Sequence, residues 1–352
     1  MRIWALINRI CRQMLRDKRT LALMFVAPLL ILTLMYFLFN GNTVDPKLGA
    51  VGIDKNLITA IEKADIDVKQ YDQADADTVT KDDLDGLLQE ENGELSLILQ
   101  NDDPSTARAL QLKVNQAAQA VSQVKLIQQN PALAGSMAQK SMDATYVYGD
   151  EDTVFFDVLS PILVGFFVFF FVFIISGIGL LRERTTGTLE RLLSTPIRRA
   201  EVVLAYLAGY GIFAVIQTII VVLYAINVLD IVLVGSIFNV ILINLLLALV
   251  ALSLGTLLSS FAASEFQMLQ FIPIAVVPQV FFAGIFPLEG MADWLQAIAR
   301  VFPLYYAGDA LKGVMYKGAG FGDIGGDLLA LAVFAILFIV LNIFALKKYR
   351  TL

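Results

Sequence analysis

The sequence predicts an α-helical polytopic membrane protein: six transmembrane helices, an N-terminal interfacial amphipathic helix and a small α/β extracytoplasmic domain. Three observations predict it. The 352 residues are 57% hydrophobic and only 16% charged, with a mean hydropathy of +0.71, whereas a soluble domain carries about 25% charged residues. Apolar runs of the ~20 residues needed to cross hydrocarbon as a helix recur six times. Charge is also segregated: residues 41–153 hold 20 Asp+Glu against 9 Lys+Arg, and the rest of the chain is net basic.

Residues 1–19 open the chain. At 100° per residue, Ile3, Trp4, Ile7, Ile10, Cys11, Met14 and Leu15 share one side, while Arg2, Arg9, Arg12, Arg16 and Arg19 take the other. This predicts a helix lying in the membrane interface, its basic face turned toward a cytoplasmic partner or anionic lipid. Residues 20–40 form the first span. Nineteen residues precede it and no small-residue cleavage pattern follows, so it reads as an anchor and not as a signal peptide.

The insert, 41–153, alternates strand and helix signals: strands in "KLGAVGID", "IDVKQYD" and "GELSLILQ", helices in "KNLITAIEKAD" and "KDDLDGLLQEEN". A long Gln- and Ala-rich helix follows from Pro104. Its carboxylates, among them Asp82, Asp83, Asp85, Glu90, Glu91 and Glu94, lack the spacing of an EF-hand and read as a solvated acidic surface.

Further spans are predicted at 154–181, 202–228, 237–260, 266–286 and 327–346. The unbroken apolar stretch in the middle is divided at "NVLDIVLVGS" by Asn227, Asp230 and Gly235. Lys and Arg gather at cytoplasmic flanks of spans. They crowd residues 1–19, the 182–201 hairpin and the tail at 347–352, which six spans place on one face. Both termini are therefore expected to be cytoplasmic and the acidic insert extracytoplasmic, together with a segment at 287–326.

Several chemistries are excluded. The chain has no histidine and one cysteine, Cys11, so His-ligated metal sites, His-based triads and an internal disulfide are ruled out. No P-loop is present. The G-x-G-x-x-G formed by Gly320, Gly322 and Gly325 enters a membrane span and does not open a nucleotide-binding βαβ unit. Nothing marks a nucleic-acid partner. Charges within spans are scarce, whereas a proton-driven transporter needs them; mid-span polarity is left to amides such as Gln217, Asn244, Gln270 and Gln279. The second span is rich in Phe, including Phe166, Phe170 and Phe173, either lipid-facing filler or an apolar wall for cargo.

The hairpin "RERTTGTLERLLSTPIRRAE" sits between two long spans. Leu189, Leu192 and Leu193 share one face of a short helix, with Thr188 expected as N-cap after Gly187, and with Thr195 and Pro196 expected to start the next helix. Its continuation, "RERTTGTLERLLSTPIRRAEVVLAY", resembles the coupling segment of type-2 ATP-binding-cassette (ABC) exporter permeases. A second stretch, "IPIAVVPQVFFAGIFPLEGMADWLQAIARVFPLYYAGDALKGVM", is similar to that family's C-terminal signature through Pro278, Gln279, Gly284, Pro287, Trp294, Pro303, Tyr306 and Asp309, with Lys312 where Arg is common. The layout fits members with a large extracytoplasmic domain between the first two spans.

The resemblance implies a permease subunit of an ATP-driven exporter in the cell membrane of a bacterium or archaeon. It would pair with a second permease, as homo- or heterodimer, and bind P-loop ATPase subunits that carry the ATP and Mg, with no cofactor or catalytic residue of its own. ATPase coupling would fall to Glu183, Gly187, Thr188, Leu189, Glu190, Arg191, Leu192 and Leu193, with Leu189, Leu192 and Leu193 as docking face. Arg9, Arg12 and Arg16 of the N-terminal helix would add a second contact. Phe166, Phe170, Phe173, Gln270 and Gln279 would line the translocation path, and Pro287, Trp294, Pro303 and Tyr306 the extracellular gate. The expected cargo is hydrophobic or amphiphilic, a drug, peptide or lipid; a small-cation exporter of the same family, or a membrane-anchored receptor with an extracellular ligand domain, are the alternatives.

Overall fold

The computed structural model describes residues 2–40, 46–73, 76–82, 84–91, 94–100, 104–129, 148–149, 153, 155–286 and 291–346. The chain divides into two compact units, one of residues 1–40 with 146–352 and one of residues 41–145.

In the smaller unit, strands β1 (Lys47–Val51), β2 (Asp67–Tyr71), β3 (Gly86–Glu91) and β4 (Glu94–Leu99) form one sheet in the order β2-β1-β3-β4. β1 is parallel to β2 and β3, and β3 pairs antiparallel with β4. Leu48, Leu88 and Leu110 share one core with Leu57 and Ile61 of α3 (Lys55–Glu62), while Leu87 packs with Leu84 and Val79 on the other face. The helix expected at 81–92 is therefore a strand. β3 lies between two neighbours and is covered on both faces, so it lacks the polar–apolar alternation that marks a half-buried strand. The helix before it, α4, spans Ala76–Lys81, and the long helix from Pro104 runs to Gln129 as α5.

The larger unit is helical. α1 (Arg2–Arg16) and α2 (Lys18–Asn40) are separated by Asp17, which caps α2: Thr20 donates both its N–H (3.1 Å) and its hydroxyl (2.6 Å) to the Asp17 carboxylate. α6 (Phe155–Thr185), α7 (Thr188–Leu193), α8 (Arg199–Asn227) and α9 (Ile237–Ser259) follow. Between α8 and α9 the chain leaves the helix for nine residues, and Val234 and Gly235 donate to the carbonyls of Met315 (2.8 Å) and Val314 (3.0 Å).

The fifth apolar segment is broken. α10 (Glu265–Ala275) and α11 (Val277–Val280) meet at a step three residues after Pro273, and a π-helical turn at Phe281–Ile285 holds Gly284 at φ 93°. α12 (Asp293–Ala299), α13 (Pro303–Met315) and α14 (Gly325–Ala345) complete the chain.

Six helical segments, Lys18–Phe39, Phe155–Thr185, Arg199–Asn227, Ile237–Ser259, Glu265–Ile285 and Gly325–Ala345, are long and apolar enough to cross a membrane. α6 is the central one: 78% of its most apolar window is buried inside the chain, against 17% for α2 and 22% for α14. Phe173 is fully buried and stacks on Phe169 at 6.1 Å between centroids. The path-lining role expected for Phe173 is thus corrected: it is core, because α6 is wrapped by its neighbours. Phe166 and Phe170 remain half-buried.

Candidate functional site

α6, α7 and α8 build the hairpin predicted at 182–201. α6 ends at Thr185, and Gly187, at φ 69°, turns the chain into α7. Such a left-handed residue costs about 1–2 kcal/mol for any side chain but glycine. Gly187 is thus the N-cap, and Thr188 is the first helical residue instead of the expected cap. α8 likewise starts later than Thr195 and Pro196 predict, at Arg199, where Glu201 reaches back to accept the Arg198 N–H at 2.8 Å and satisfies one donor at the helix start.

Three of the hairpin's charged side chains tie it to the helices around it. Glu183 is only 3% exposed and accepts from Arg9 of α1 at 2.9 Å, while the same Arg9 Nη2 donates to the Tyr206 hydroxyl of α8 at 3.0 Å. Next to it, Arg182 donates to Glu265 of α10 (2.7 Å) and to Asp17 (3.2 Å). Arg184 donates to the carbonyls of Ser259 and Ala262, capping the C-terminal end of α9. Asp17 is held below the usual carboxylate range, first by its two hydrogen bonds from Thr20 and then by Arg182.

The faces of α7 are sharply divided. Leu189 and Leu193 are 1% and 6% exposed and belong to the helical unit's own core, with Leu192 packed at its edge. The docking face expected from these leucines is corrected: the chain itself covers it. Glu183 is corrected in the same way, since its carboxylate is consumed by Arg9. What α7 displays are Glu190 and Arg191, with Ser194 just past its end, all exposed.

α1 is also only partly as expected. Leu6, Ile10 and Met14, spaced by four, are buried, and Ile10 lies so close to Gly209 of α8 that a Cβ there would sit 2.9 Å from it. Trp4 and Leu15, at the margins of the apolar side, stay 71% and 62% exposed. Arg12 and Arg16 are exposed and Arg9 is half-buried. Burial also pushes the Cys11 thiol up.

The other predicted residues fall elsewhere. Gln270 lies on an exposed stripe with Phe266, Leu269, Ile274 and Val277. Gln279 is buried and donates to the Ala275 carbonyl at 2.9 Å. Trp294 on α12 is exposed, Pro303 begins α13 as a buried residue, and Tyr306 donates to the Arg300 carbonyl at 3.0 Å. Pro287 lies outside the described residues. Sequence reasoning missed Tyr206 and the partners of Arg182. The one legible signal was Asp17, the single acid among nineteen residues, placed just before an apolar run as an N-cap would be.

The model of the family described as "ABC-2 family transporter protein" matches residues 18–344. Similar proteins include ABC transporter G family member 20 of Dictyostelium discoideum, 27% identical over 49% of this chain and 24% of that protein. The probable multidrug ABC transporter permease YbhS of Escherichia coli is 27% identical over 41% of this chain and 39% of its own. The inner membrane transport permease YhhJ of Escherichia coli is 28% identical over 50% of this chain and 47% of its own. The matched part thus spans from about a quarter to just under half the length of these curated relatives.

Proposed function

The chain belongs to the ABC-2 family of transporter proteins, and from that premise we propose that it is the permease subunit of an ATP-driven exporter whose ATPase docks on the exposed ridge of the 182–201 hairpin. The observation that carries this reading is the division of α7. Leu189 and Leu193 lock one face into the helical unit, and Glu190 and Arg191, with Ser194 just past the helix end, are left exposed. A short helix held this way between α6 and α8 moves with them, so force applied at its ridge passes into two spans.

The ridge replaces the leucine face as the contact, with Arg12 and Arg16 of α1 as a second basic surface for the ATPase. On this reading both termini and the hairpin are cytoplasmic, the 41–145 unit is extracytoplasmic, and α12 and α13 with Trp294, Pro303 and Tyr306 close the outer end. ATP and Mg belong to the partner.

Gln270 supports a path or a second permease along α10. An amide facing lipid has no hydrogen-bonding partner, whereas a second copy or a wet path supplies one. Cargo that is hydrophobic or amphiphilic, a drug, peptide or lipid, fits the half-buried Phe166 and Phe170 and agrees with the multidrug naming of one relative.

The test is charge reversal on the ridge. Glu190→Lys with Arg191→Glu is expected to abolish co-purification of the ATPase while leaving the permease's melting temperature unchanged. Retained ATPase would remove the hairpin from the interface.

A further inference from the structure

We propose that the helical unit holds a binding site for an amphiphile with a single-anion head group and one hydrocarbon chain, in the cavity between α6, the bent end of the fifth span and α13. The cavity measures about 440 Å³, within the ~300–1,000 Å³ of small-molecule sites. It exists because the fifth span does not run straight. The π turn at Phe281–Ile285 and the left-handed Gly284 interrupt the helix beside α6, with Ile162 at contact distance, 3.7 Å, from where a Gly284 Cβ would be.

The lining has two characters. Val158 and Ile162 of α6, with Ile285 and Phe286, make an apolar wall. Facing it are Arg300, at the end of α12, and Asp309 and Lys312, one turn apart on α13. Two cations stand against one carboxylate, and no ion pair involves any of the three among the described residues.

Unlike Arg9, Arg182 and Arg184, each engaged by a neighbouring element, Arg300 is exposed and Lys312 half-buried at the rim of the cavity, with no ion pair to compete with an incoming anion. Asp309 offsets one cation, and Asp327 of α14, near enough to Asp309 to act on it, does not line the cavity, so the lining itself carries an excess of one positive charge beside a hydrocarbon surface. A monoanionic head against Arg300 and Lys312, with its chain on Ile162 and Phe286, satisfies both halves. A neutral amphiphile leaves the charges unpaired, and a cationic one is repelled. The site needs neither ATP nor a partner subunit, so its test stands or falls apart from the exporter reading.

The test uses the full chain in phosphatidylcholine nanodiscs with a photoactivatable long-chain fatty acid, and the methyl ester of the same compound as control. The acid is expected to label peptides containing residues 158–162 or 281–286, and the ester only at background. Arg300→Gln with Lys312→Gln should lower that labelling by about tenfold, as loss of both charge partners of the head group does, with the melting temperature checked to exclude unfolding. Asp309→Asn should raise it.

Competition by lysophosphatidylglycerol in the disc would assign the site to a single-chain membrane lipid, and its failure to compete to a free amphiphile; both keep the anionic head. Equal labelling by acid and ester, or labelling indifferent to the Arg300 and Lys312 changes in folded protein, would overturn the proposal.

Discussion

At the hairpin end of the helical unit, the guanidinium groups of Arg9, Arg182 and Arg184 each bond to residues of other helices or of the turn beyond α9, drawing on Glu183, Tyr206, Asp17, Glu265 and backbone carbonyls. At the opposite end the joints are aromatic and backbone: Tyr36 and Phe39 lie on Phe156 at 5.8 and 6.0 Å, Phe282 stacks on Phe302 at 5.4 Å, and two main-chain bonds fasten the α8–α9 connection to α13. The contrast teaches where stiffness was placed. Charge-assisted bonds are directional and about twice as strong as neutral ones; those of Arg182 are half exposed to solvent and weak, so the buried Glu183 carboxylate held by Arg9 is the main tie at the hairpin end. The ring contacts lack such directional bonds, and the breaks at Val276 and Gly284 bend the span that ends there.

The strongest attempt to break this comparison is Arg9→Ala. It leaves the Glu183 carboxylate buried without its cation, a loss of about 3 kcal/mol or more, read as a lowered melting temperature of the detergent-solubilised protein. Arg9→Met with Glu183→Leu should recover most of it, since a buried pair replaced by apolar groups is often neutral. If Arg9→Ala alone melts like the parent, the hairpin end is not held by this pair.

Gly209→Leu comes next. It forces α1 away from α8 at Ile10, an overpacking worth about 1–3 kcal/mol. Cys11, the sole cysteine, reports the event: its sulfur lies 4.0 Å from the Gly209 carbonyl and burial holds its pKa up. Displacement should speed maleimide labelling at pH 7. An unchanged rate would mean that α1 is not seated on Gly209.

The smallest expected effect is Asp17→Ala, about 1 kcal/mol for a lost cap. Because the folded carboxyl ionises below its ordinary range, the stability it adds is complete above that range and is lost as the pH falls through the folded value. Melting curves from pH 6 to pH 3 should therefore fall more steeply for the parent than for the variant. Parallel curves would mean that Thr20 and Arg182 do not hold the anion.

The six helical segments were legible because length and hydropathy decide them; even the break after Asn227 follows from a polar residue, Asp230 and Gly235. The strand at 86–91 was hidden because Leu87 and Leu88 fill opposite cores and erase the period-two signal. The hairpin's existence was legible from its charge between two apolar runs, and its polarity was not. Three leucines at helical spacing look alike whether they face a partner or the chain's own core. Only the fold distinguishes Leu189, buried, from Arg191, displayed. Glu183 was misread for the same reason: its partner Arg9 lies 174 positions away, and no local pattern announces it.

The most direct test of the central claim, that this family member works as a permease driven by an ATPase bound from the hairpin side, is affinity purification of the detergent-solubilised protein from its host with mass spectrometry of what accompanies it. The account predicts a stoichiometric soluble subunit carrying a P-loop. Its repeated absence, with the permease intact, would contradict the account and leave residues 182–201 as a loop resting on lipid.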